Sequence, residues 1–326
     1  MRRARSLSIL LLASLALGAC TTGGGASSAP SSAPSSAPST AASVAPTTAA
    51  SVPPSEAPSP SADACAKDTL TLKTAGKLTI GTDNPAYPPY FQIPDGTPTA
   101  PWELGDPTNG QGFEGAFAYA LAEKLGFAKD DVVWTVVPFD NSFAPGDKPF
   151  DIDVNQVSYG ADRAQAVDMS DGYYNLNQSV VALKANGLAS VTSIAGLKDF
   201  RFGAQVGTTS LATINDVIAP TTPAKVYTTN DEAIAGLKAK QIDGIVVDLP
   251  TAFFVTAAQV ENSVIVGQFA GPTGPDAEHF SVVLGKGSPL TACVNAAIAA
   301  MKSDGSLDAI TQEWLSDKAS APVFTP

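Results

Sequence analysis

Arg163 is the first candidate for binding chemistry. It lies within residues 153–174, just after a predicted strand and a glycine-containing turn. Beyond the first five residues, the sequence has only one other arginine, Arg201. A guanidinium at the end of a strand can hold a carboxylate through two parallel hydrogen bonds. On spacing alone, Arg163 could equally be a surface residue that caps a short helix.

Other polar groups follow the ends of other predicted strands, where ligands of open parallel sheets bind. A helix start that carries hydroxyl groups favours an anion, whereas a carboxylate opposite it would suit an ammonium group. The joint placement predicts a site for an α-amino acid, with the arginine as the carboxylate clamp. The residues at these strand ends are Asp83, Phe139, Ser158 with Arg163, the turn Gly207-Thr208-Thr209, and Asp248.

Two α/β units must position these groups. In the first, strands are predicted at 77–82, 131–138 and 150–158, with a helix at 112–126 whose phenylalanines and leucines recur every four residues. This order indicates a mainly parallel sheet. The second unit has strands at 200–205, 225–227 and 241–248, with helices beginning near 208, 231 and 250.

The chain passes between the two units twice, near Ser179 and near Glu278. Strand 280–284 and helices 290–301 and 307–315 then return to the first unit. The expected fold class is therefore α/β, with two lobes joined by a two-strand hinge and a binding cleft between them.

The first 20 residues are predicted to be a signal peptide. Three arginines precede an apolar run at 7–17 that is too short to span a bilayer comfortably, and Leu17-Gly18-Ala19-Cys20 follows. This ending resembles a bacterial lipobox, in which Cys20 would become the lipidated first residue. No later stretch is apolar enough to cross a membrane, so we expect the mature chain to be an extracytoplasmic lipoprotein anchored to the cell membrane.

The next segment, residues 21–64, is rich in Ser, Ala, Pro and Thr, and it should remain a disordered linker. About 260 residues remain, enough for two lobes. We assign 65–177 and 276–326 to lobe 1 and 178–275 to lobe 2. Because a secreted protein favours disulfides, Cys65 and Cys293 are expected to be bonded, which would place both ends of the folded chain in one lobe.

Composition argues against several classes of partner. The formal net charge is −12 without a basic run, which disfavours nucleic acid and anionic lipid surfaces. His279 is the single histidine, and no metal-binding pattern surrounds it. The sequence therefore predicts no cofactor and no metal, membrane contact only through the lipid anchor, and a monomer.

Six motifs in order resemble the family 3 extracellular solute-binding proteins, the amino-acid receptors of ABC importers. They are KLTIGTDNPAYPPY, GFEGAFAYALAEKLG, SYGADRAQAVDMSDGYY, FGAQVGTTS, AIAGLKAKQIDGIVVDLP and MKSDGSLDAITQEWL, and the resemblance covers essentially all of residues 77–315. The resemblance implies the type II periplasmic-binding-protein fold, with a free amino acid and a permease as partners.

The resemblance also implies roles for individual residues. Arg163, Ser158 and Thr209, with Thr208 beside it, match positions that hold the ligand's α-carboxylate, and Asp248 matches the acceptor of its ammonium group. Asp83, Tyr87 and Phe139 match positions around the ligand side chain, and Gln205 stands where the family varies with specificity. This sequence departs from the pattern at Gln156, where a small residue is often found.

Specificity and function leave alternatives open. Asp83 and Gln205 favour a polar or basic amino acid, because both can accept hydrogen bonds from a ligand side chain. One rival hypothesis is an enzyme on the same fold, resembling cyclohexadienyl dehydratase, with Glu114 or Asp83 as acid or base. Glu114 could instead simply open its helix, where an acid interacts favourably with the dipole. Another rival is a sensing lipoprotein without a transporter.

Overall fold

The computed structural model describes residues 62–272, 274, 277–315 and 321–326. The predicted signal peptide, Cys20 and nearly all of the predicted linker lie outside these residues. The linker was expected to extend to residue 64, but a short 3₁₀ helix spans Ala62–Cys65. The disulfide of Cys65 fixes this end of the chain against the folded body.

Strands account for the framework of both lobes. In chain order, those among the described residues are β1 (Leu78–Thr82), β2 (Val132–Val136), β3 (Ile152–Asp153), β4 (Val167–Met169), β5 (Tyr174–Asn175), β6 (Gln178–Leu183), β7 (Phe202–Gln205), β8 (Lys225–Tyr227), β9 (Gly244–Asp248), β10 (Ser263–Gln268), β11 (His279–Phe280) and β12 (Val283–Gly285).

Helices flank the strands. The α-helices of the described residues are α1 (Phe113–Lys124), α2 (Phe139–Ser142), α3 (Arg163–Ala166), α4 (Ile194–Leu197), α5 (Thr209–Ala212), α6 (Asn230–Lys238), α7 (Leu249–Phe254), α8 (Thr291–Ser303) and α9 (Ser306–Leu315). Two π-helices, Thr213–Ile218 and Val255–Gln259, continue α5 and α7. No helix in this part of the chain is long and apolar enough to cross a membrane.

Each lobe contains one five-stranded sheet. The first lobe has the order β2-β1-β3-β12-β4, and the second has β10-β6-β9-β7-β8. β1 pairs in parallel with β2 and β3, and β7 pairs in parallel with β8 and β9. The other pairings are antiparallel. The three strands from which a parallel sheet was predicted, β1, β2 and β3, do pair in parallel. Each complete sheet is mixed, because strands that enter from the hinge run against their neighbours.

The hinge consists of two short paired strands. β5 pairs antiparallel with β11, with His279 opposite Asn175 and Phe280 opposite Tyr174. These strands carry the two predicted crossings between the lobes. The molecule has the expected architecture of two α/β lobes and a two-strand hinge, which is the type II periplasmic-binding-protein fold.

Aromatic and aliphatic side chains explain why the lobes are stable. In α1, Phe113, Phe117 and Leu121 are fully buried, as their spacing predicts, and they pack in the first core with residues of α8 and α9. Tyr173 stacks on Phe117 with ring centroids 4.2 Å apart. Tyr173 therefore packs in the first core.

The two ends of the folded chain do not share one lobe completely. Cys65 and Cys293 are disulfide-bonded, with Cα atoms 5.5 Å apart, and this bond joins the chain start to α8 of the first lobe. Residues 321–326 were assigned to lobe 1, but Val323 bridges Gln268 of β10 and Phe324 packs into the second core. Burial of Phe324 beside Phe269 stabilises this placement.

Candidate functional site

A cavity lies between the lobes at the carboxyl ends of β1, β7 and β9. All nine residues predicted to bind a ligand line it: Asp83, Tyr87, Phe139, Ser158, Arg163, Gln205, Thr208, Thr209 and Asp248. Residues of both lobes line one cavity because the hinge turns the carboxyl ends of the two sheets toward each other. Most of the lining residues are polar or charged by type, and such groups can fix the orientation of a small ligand.

Arg163 links the two lobes. Its Nη1 donates to the Ser158 carbonyl at 2.5 Å and its Nη2 donates to the Gly207 carbonyl of the second lobe at 2.6 Å. Its guanidinium also stacks on the Phe143 ring, 4.3 Å from the centroid. A guanidinium has five N–H groups, so donors remain for a bound anion. Burial lowers the pKa of Arg163 to about 10, and it stays a cation at neutral pH.

Hydroxyl and amide groups surround the arginine. Ser158 Oγ lies 3.4 Å from Thr209 Oγ1, and Gln178 Nε2 donates to Thr209 Oγ1 at 3.2 Å. Ser158 belongs to the first lobe, whereas Thr209 opens α5 of the second. The two hydroxyls predicted to accompany Arg163 are therefore brought together only by the closed arrangement of the lobes.

Thr208 caps a helix. Its Oγ1 accepts from Leu211 N at 3.1 Å and donates to the Gln205 carbonyl at 2.8 Å. A threonine at this position stabilises the start of α5. The preceding Gly207 has φ of 73°, a conformation that favours glycine, in the turn whose carbonyl accepts from Arg163. Thr208 therefore stabilises the turn, because its hydroxyl forms hydrogen bonds with backbone groups on both sides of it.

Asp248 lies across the cavity from Arg163 and accepts three hydrogen bonds. Its carboxylate accepts from Thr251 N at 2.8 Å, from Thr251 Oγ1 at 2.7 Å and from the Tyr90 hydroxyl. A carboxylate can accept about four hydrogen bonds, so one position remains for an ammonium group. Burial raises the pKa of Asp248 despite these donors. A cationic neighbour would stabilise its charged form.

Asp83, Tyr87 and Phe139 line the cavity from the first lobe. Asp83 follows β1, and its Oδ1 accepts from Asn84 N at 2.8 Å. Burial raises the pKa of Asp83, and burial together with Asp231 raises that of Tyr87. Asp83 thus places a carboxyl group on the side of the cavity that the sequence assigns to the ligand side chain.

Gln205 faces the cavity from the end of β7. Its Oε1 accepts from Asn230 N at 3.1 Å, which leaves the amide N–H groups as donors beside it. The sequence suggested Gln205 mainly as an acceptor. The contact with α6 shows that it can also donate to an oxygen atom of a ligand.

Several cavity residues were not identified from the sequence. Gln178 lines the cavity beside the first crossing of the hinge. Glu278, beside the second crossing, is not itself a lining residue, but its carboxylate accepts from both Ser158 Oγ and Gln178 Nε2 at 2.9 Å. Their polar side chains beside the predicted crossings were the sequence signal that could have identified them. The other missed lining residues are Asn155, Leu176, Ser210, Asn230, Ile234, Val247, Thr251, Phe254, Gln259 and Phe280, together with Gln156, which was noted only as a departure from the family pattern.

Glu114 supports the cavity from behind. Its buried carboxylate accepts from Gln156 N at 2.8 Å, from Gln156 Nε2 and from the Tyr173 hydroxyl at 2.5 Å. Gln156 has φ of 49°, which is uncommon for a residue with a side chain. This turn ends β3 after Asp153, five residues earlier than predicted. Burial raises the pKa of Glu114 to about 7.

Arg201 and His279, the other residues that could do chemistry, interact with neighbouring protein groups. Arg201 pairs with Asp243 at 2.9 Å on the surface, away from the cavity. His279 Nδ1 lies 2.8 Å from the Ala277 carbonyl, and its ring stacks on Tyr159 in the hinge region. Among the described residues, no cluster of histidine, cysteine and acidic side chains could hold a metal ion.

The hinge, the facing sheets and a polar cleft at their carboxyl ends define a two-lobed solute receptor. Residues 78–317 match the model of the bacterial extracellular solute-binding proteins, family 3. The chain belongs to this family.

Characterised relatives show the same class. The L-cystine-binding protein TcyJ of Escherichia coli (strain K12) is 26% identical over 246 residues, covering 74% of this chain and 84% of TcyJ. The ABC transporter glutamine-binding protein GlnH of Bacillus subtilis (strain 168) is 28% identical over 261 residues, covering 77% of this chain and 86% of GlnH. Both are amino-acid-binding proteins by name.

Solved structures agree in fold. An ancestral arginine-binding protein bound to glutamine is 28% identical, with a TM-score of 0.59 and coverage of 74% of this chain and 98% of that protein. The ancestral amino acid-binding protein AncCDT-1, a precursor of cyclohexadienyl dehydratase, is 26% identical, with a TM-score of 0.57 and coverage of 73% and 95%.

Proposed function

We propose that this protein is an extracytoplasmic receptor that binds a free α-amino acid in the cleft and delivers it to the permease of an ABC importer. The observation that carries the proposal is the arrangement of opposite charges across one cavity. Arg163, with Ser158 and Thr209, would hold the α-carboxylate, and Asp248 would accept the α-ammonium group. Charge-assisted hydrogen bonds of this kind combine affinity with orientation.

The ligand side chain is proposed to be polar or basic. Asp83 and Tyr87 would face it, and Asp231 lies close enough to Tyr87 to raise its pKa. An acidic ligand would meet these carboxylates without a second cation, since Arg201 is paired elsewhere. Relatives and neighbours named for glutamine, arginine and cystine binding support the same range of ligands.

The proposed attachment is a lipid on Cys20 of the mature chain, with the Ser/Ala/Pro-rich segment as a spacer to the membrane surface. The lipobox-like sequence before Cys20 supports it. Labelling of the full-length protein with a fatty-acid analogue, with Cys20→Ser as the control, tests this attachment. Equal labelling of both proteins would contradict it.

An enzyme on this fold receives less support. The candidate acid Glu114 lies behind Gln156 and is engaged by Gln156 and Tyr173, so it does not line the cavity. Asp83 does line the cavity. Turnover of prephenate or arogenate by the purified protein would favour the enzyme, and we expect none.

A ligand screen tests the receptor proposal directly. The folded part, beginning after the predicted linker, is heated with each of the twenty common L-amino acids and with L-cystine. A ligand that binds only the folded state raises the melting temperature. We expect a polar or basic amino acid to give the largest shift, and calorimetric titration then gives its Kd. The absence of a shift with every compound would reject the proposal.

A further inference from the structure

Glu278 places a carboxylate of the protein itself against two polar side chains that line the cleft. This residue directly precedes β11, on the second crossing between the lobes. Its Oε1 accepts from Ser158 Oγ of the first lobe at 2.9 Å and from Gln178 Nε2, at the start of β6, also at 2.9 Å. One oxygen atom thus receives donors from both sides of the hinge.

Of these two donors, Ser158 belongs to the group proposed to bind the ligand's carboxylate, and Gln178 contacts that group. Ser158 Oγ lies 3.4 Å from Thr209 Oγ1, and Gln178 Nε2 also donates to Thr209 at 3.2 Å. The backbone carbonyl of the same Ser158 accepts from Arg163. The negative charge of Glu278 acts on Arg163 as well, since it partly offsets the effect of burial on the arginine pKa. Glu278 therefore engages the polar groups next to the site proposed for a bound carboxylate.

We propose that Glu278 is an internal substitute for the ligand's α-carboxylate and that an incoming amino acid displaces it. The inference rests on the proposed function and adds a residue that sets affinity. Glu278 gives Ser158 Oγ and Gln178 Nε2 an acceptor within the protein. A ligand must compete with this arrangement, so its apparent Kd equals the intrinsic Kd divided by the fraction of molecules in which Glu278 has released these donors.

A zwitterionic ligand can displace Glu278 because it supplies two charges. Its carboxylate replaces that of Glu278, and its ammonium group neutralises Asp248, whose pKa is raised by burial and also by Glu278. Glu278 can supply only the first of these contacts. Its side chain is partly exposed, so solvent is available to receive it after displacement.

The test compares wild-type protein with Glu278→Ala and Glu278→Gln. All three are screened with the amino acids and L-cystine used above, and Kd values are measured by calorimetric titration. We expect Glu278→Ala to bind the same ligands about fivefold to fiftyfold more tightly, because competition is removed. Glu278→Gln, which keeps the shape, should give a smaller gain. Glu261→Gln, at an exposed turn before β10, is the matched control and should bind as wild type does.

A second probe isolates the carboxylate. The α-carboxamide of the tightest ligand lacks the charge that would displace Glu278, so its affinity should improve less in Glu278→Ala than that of the parent acid. An equal improvement for both compounds would overturn the inference.

The outcomes separate this inference from the proposed function. Tenfold weaker binding in both Glu278 variants would show that Glu278 contacts the ligand's ammonium group, and a change below twofold would show that it is a bystander; either rejects the inference alone. Binding only by Glu278→Ala would support the inference in its strongest form. Failure of every protein to bind any compound would reject both.

Discussion

Tyr90 of the first lobe donates a hydrogen bond to Asp248 of the second. The tyrosine is fully buried next to Phe280, and Asp248 begins helix α7. A side chain of the proposed ammonium site therefore also fastens the lobes together. In the proposed function, closure of the cleft and recognition of the ammonium group would both involve this carboxylate.

Tyr90→Phe should weaken ligand binding by about threefold to tenfold. The change removes one hydrogen bond that joins the lobes, which is typically worth about 0.5–1.5 kcal/mol, while the ring remains packed. Titration with the ligand found in the screen measures the effect. Tyr119→Phe provides the control, because its hydroxyl donates to the Thr108 carbonyl within the first lobe. An equal loss of affinity in both variants would argue against a special role for Tyr90.

Arg163→Ala should reduce affinity by about 2–5 kcal/mol, because a carboxylate buried without its charged partner is strongly destabilised. Arg163→Lys should lie between this variant and wild type, since lysine keeps the charge but loses the planar pair of donors. Arg201→Ala removes the surface pair with Asp243 and should bind normally. Unchanged Kd values for Arg163→Ala, in a protein with a normal melting profile, would contradict the carboxylate clamp.

The acidity of Glu114 should make stability depend on pH. Its pKa is about 7 in the folded protein, above its ordinary value of 4.5, so the unfolded chain releases this proton more readily. The contribution of Glu114 to the free energy of unfolding is therefore greatest below pH 4.5. It is lost as the pH rises to about 7, and the total loss is about 3 kcal/mol.

Glu114→Gln removes this titration. Relative to wild type, its free energy of unfolding should improve by about 3 kcal/mol between pH 4.5 and pH 8, measured by denaturant titration at each pH. Glu123→Gln, exposed on the same helix, should follow the wild-type curve. A constant difference between Glu114→Gln and wild type across this range would show that the carboxyl does not titrate as proposed.

Loss of the disulfide should lower the free energy of unfolding without changing the affinity for the ligand. Cys65 and Cys293 are 228 residues apart, and opening a loop of this length typically costs about 2–5 kcal/mol. Denaturation of Cys65→Ser/Cys293→Ser measures the loss, and added reductant should have no further effect on it. A matching loss of affinity would indicate that the bond also shapes the cleft, although neither cysteine lines it.

The sequence predicted the local structure well where periodicity is strong. Phe113, Phe117 and Leu121 indicated helix α1, and short apolar runs indicated β1 and β9. It did less well at β3, because Gln156 enters the left-handed region only with the support of Glu114, 42 residues earlier in the chain. The antiparallel pairings of β6 and β12 also escaped prediction, since strand direction depends on how the chain returns through the hinge.

By itself, the sequence determined the family motifs, the two-lobed α/β architecture and the residue types around the cavity. Strand ends are readable from local patterns, and in this fold they meet at one edge of each sheet. Only the tertiary structure decided how those groups are engaged: Thr208 as a helix cap, Asp248 bound by Tyr90, and Glu278 against Ser158. These contacts join residues far apart in the chain, and no local propensity encodes which distant partner a polar side chain will meet.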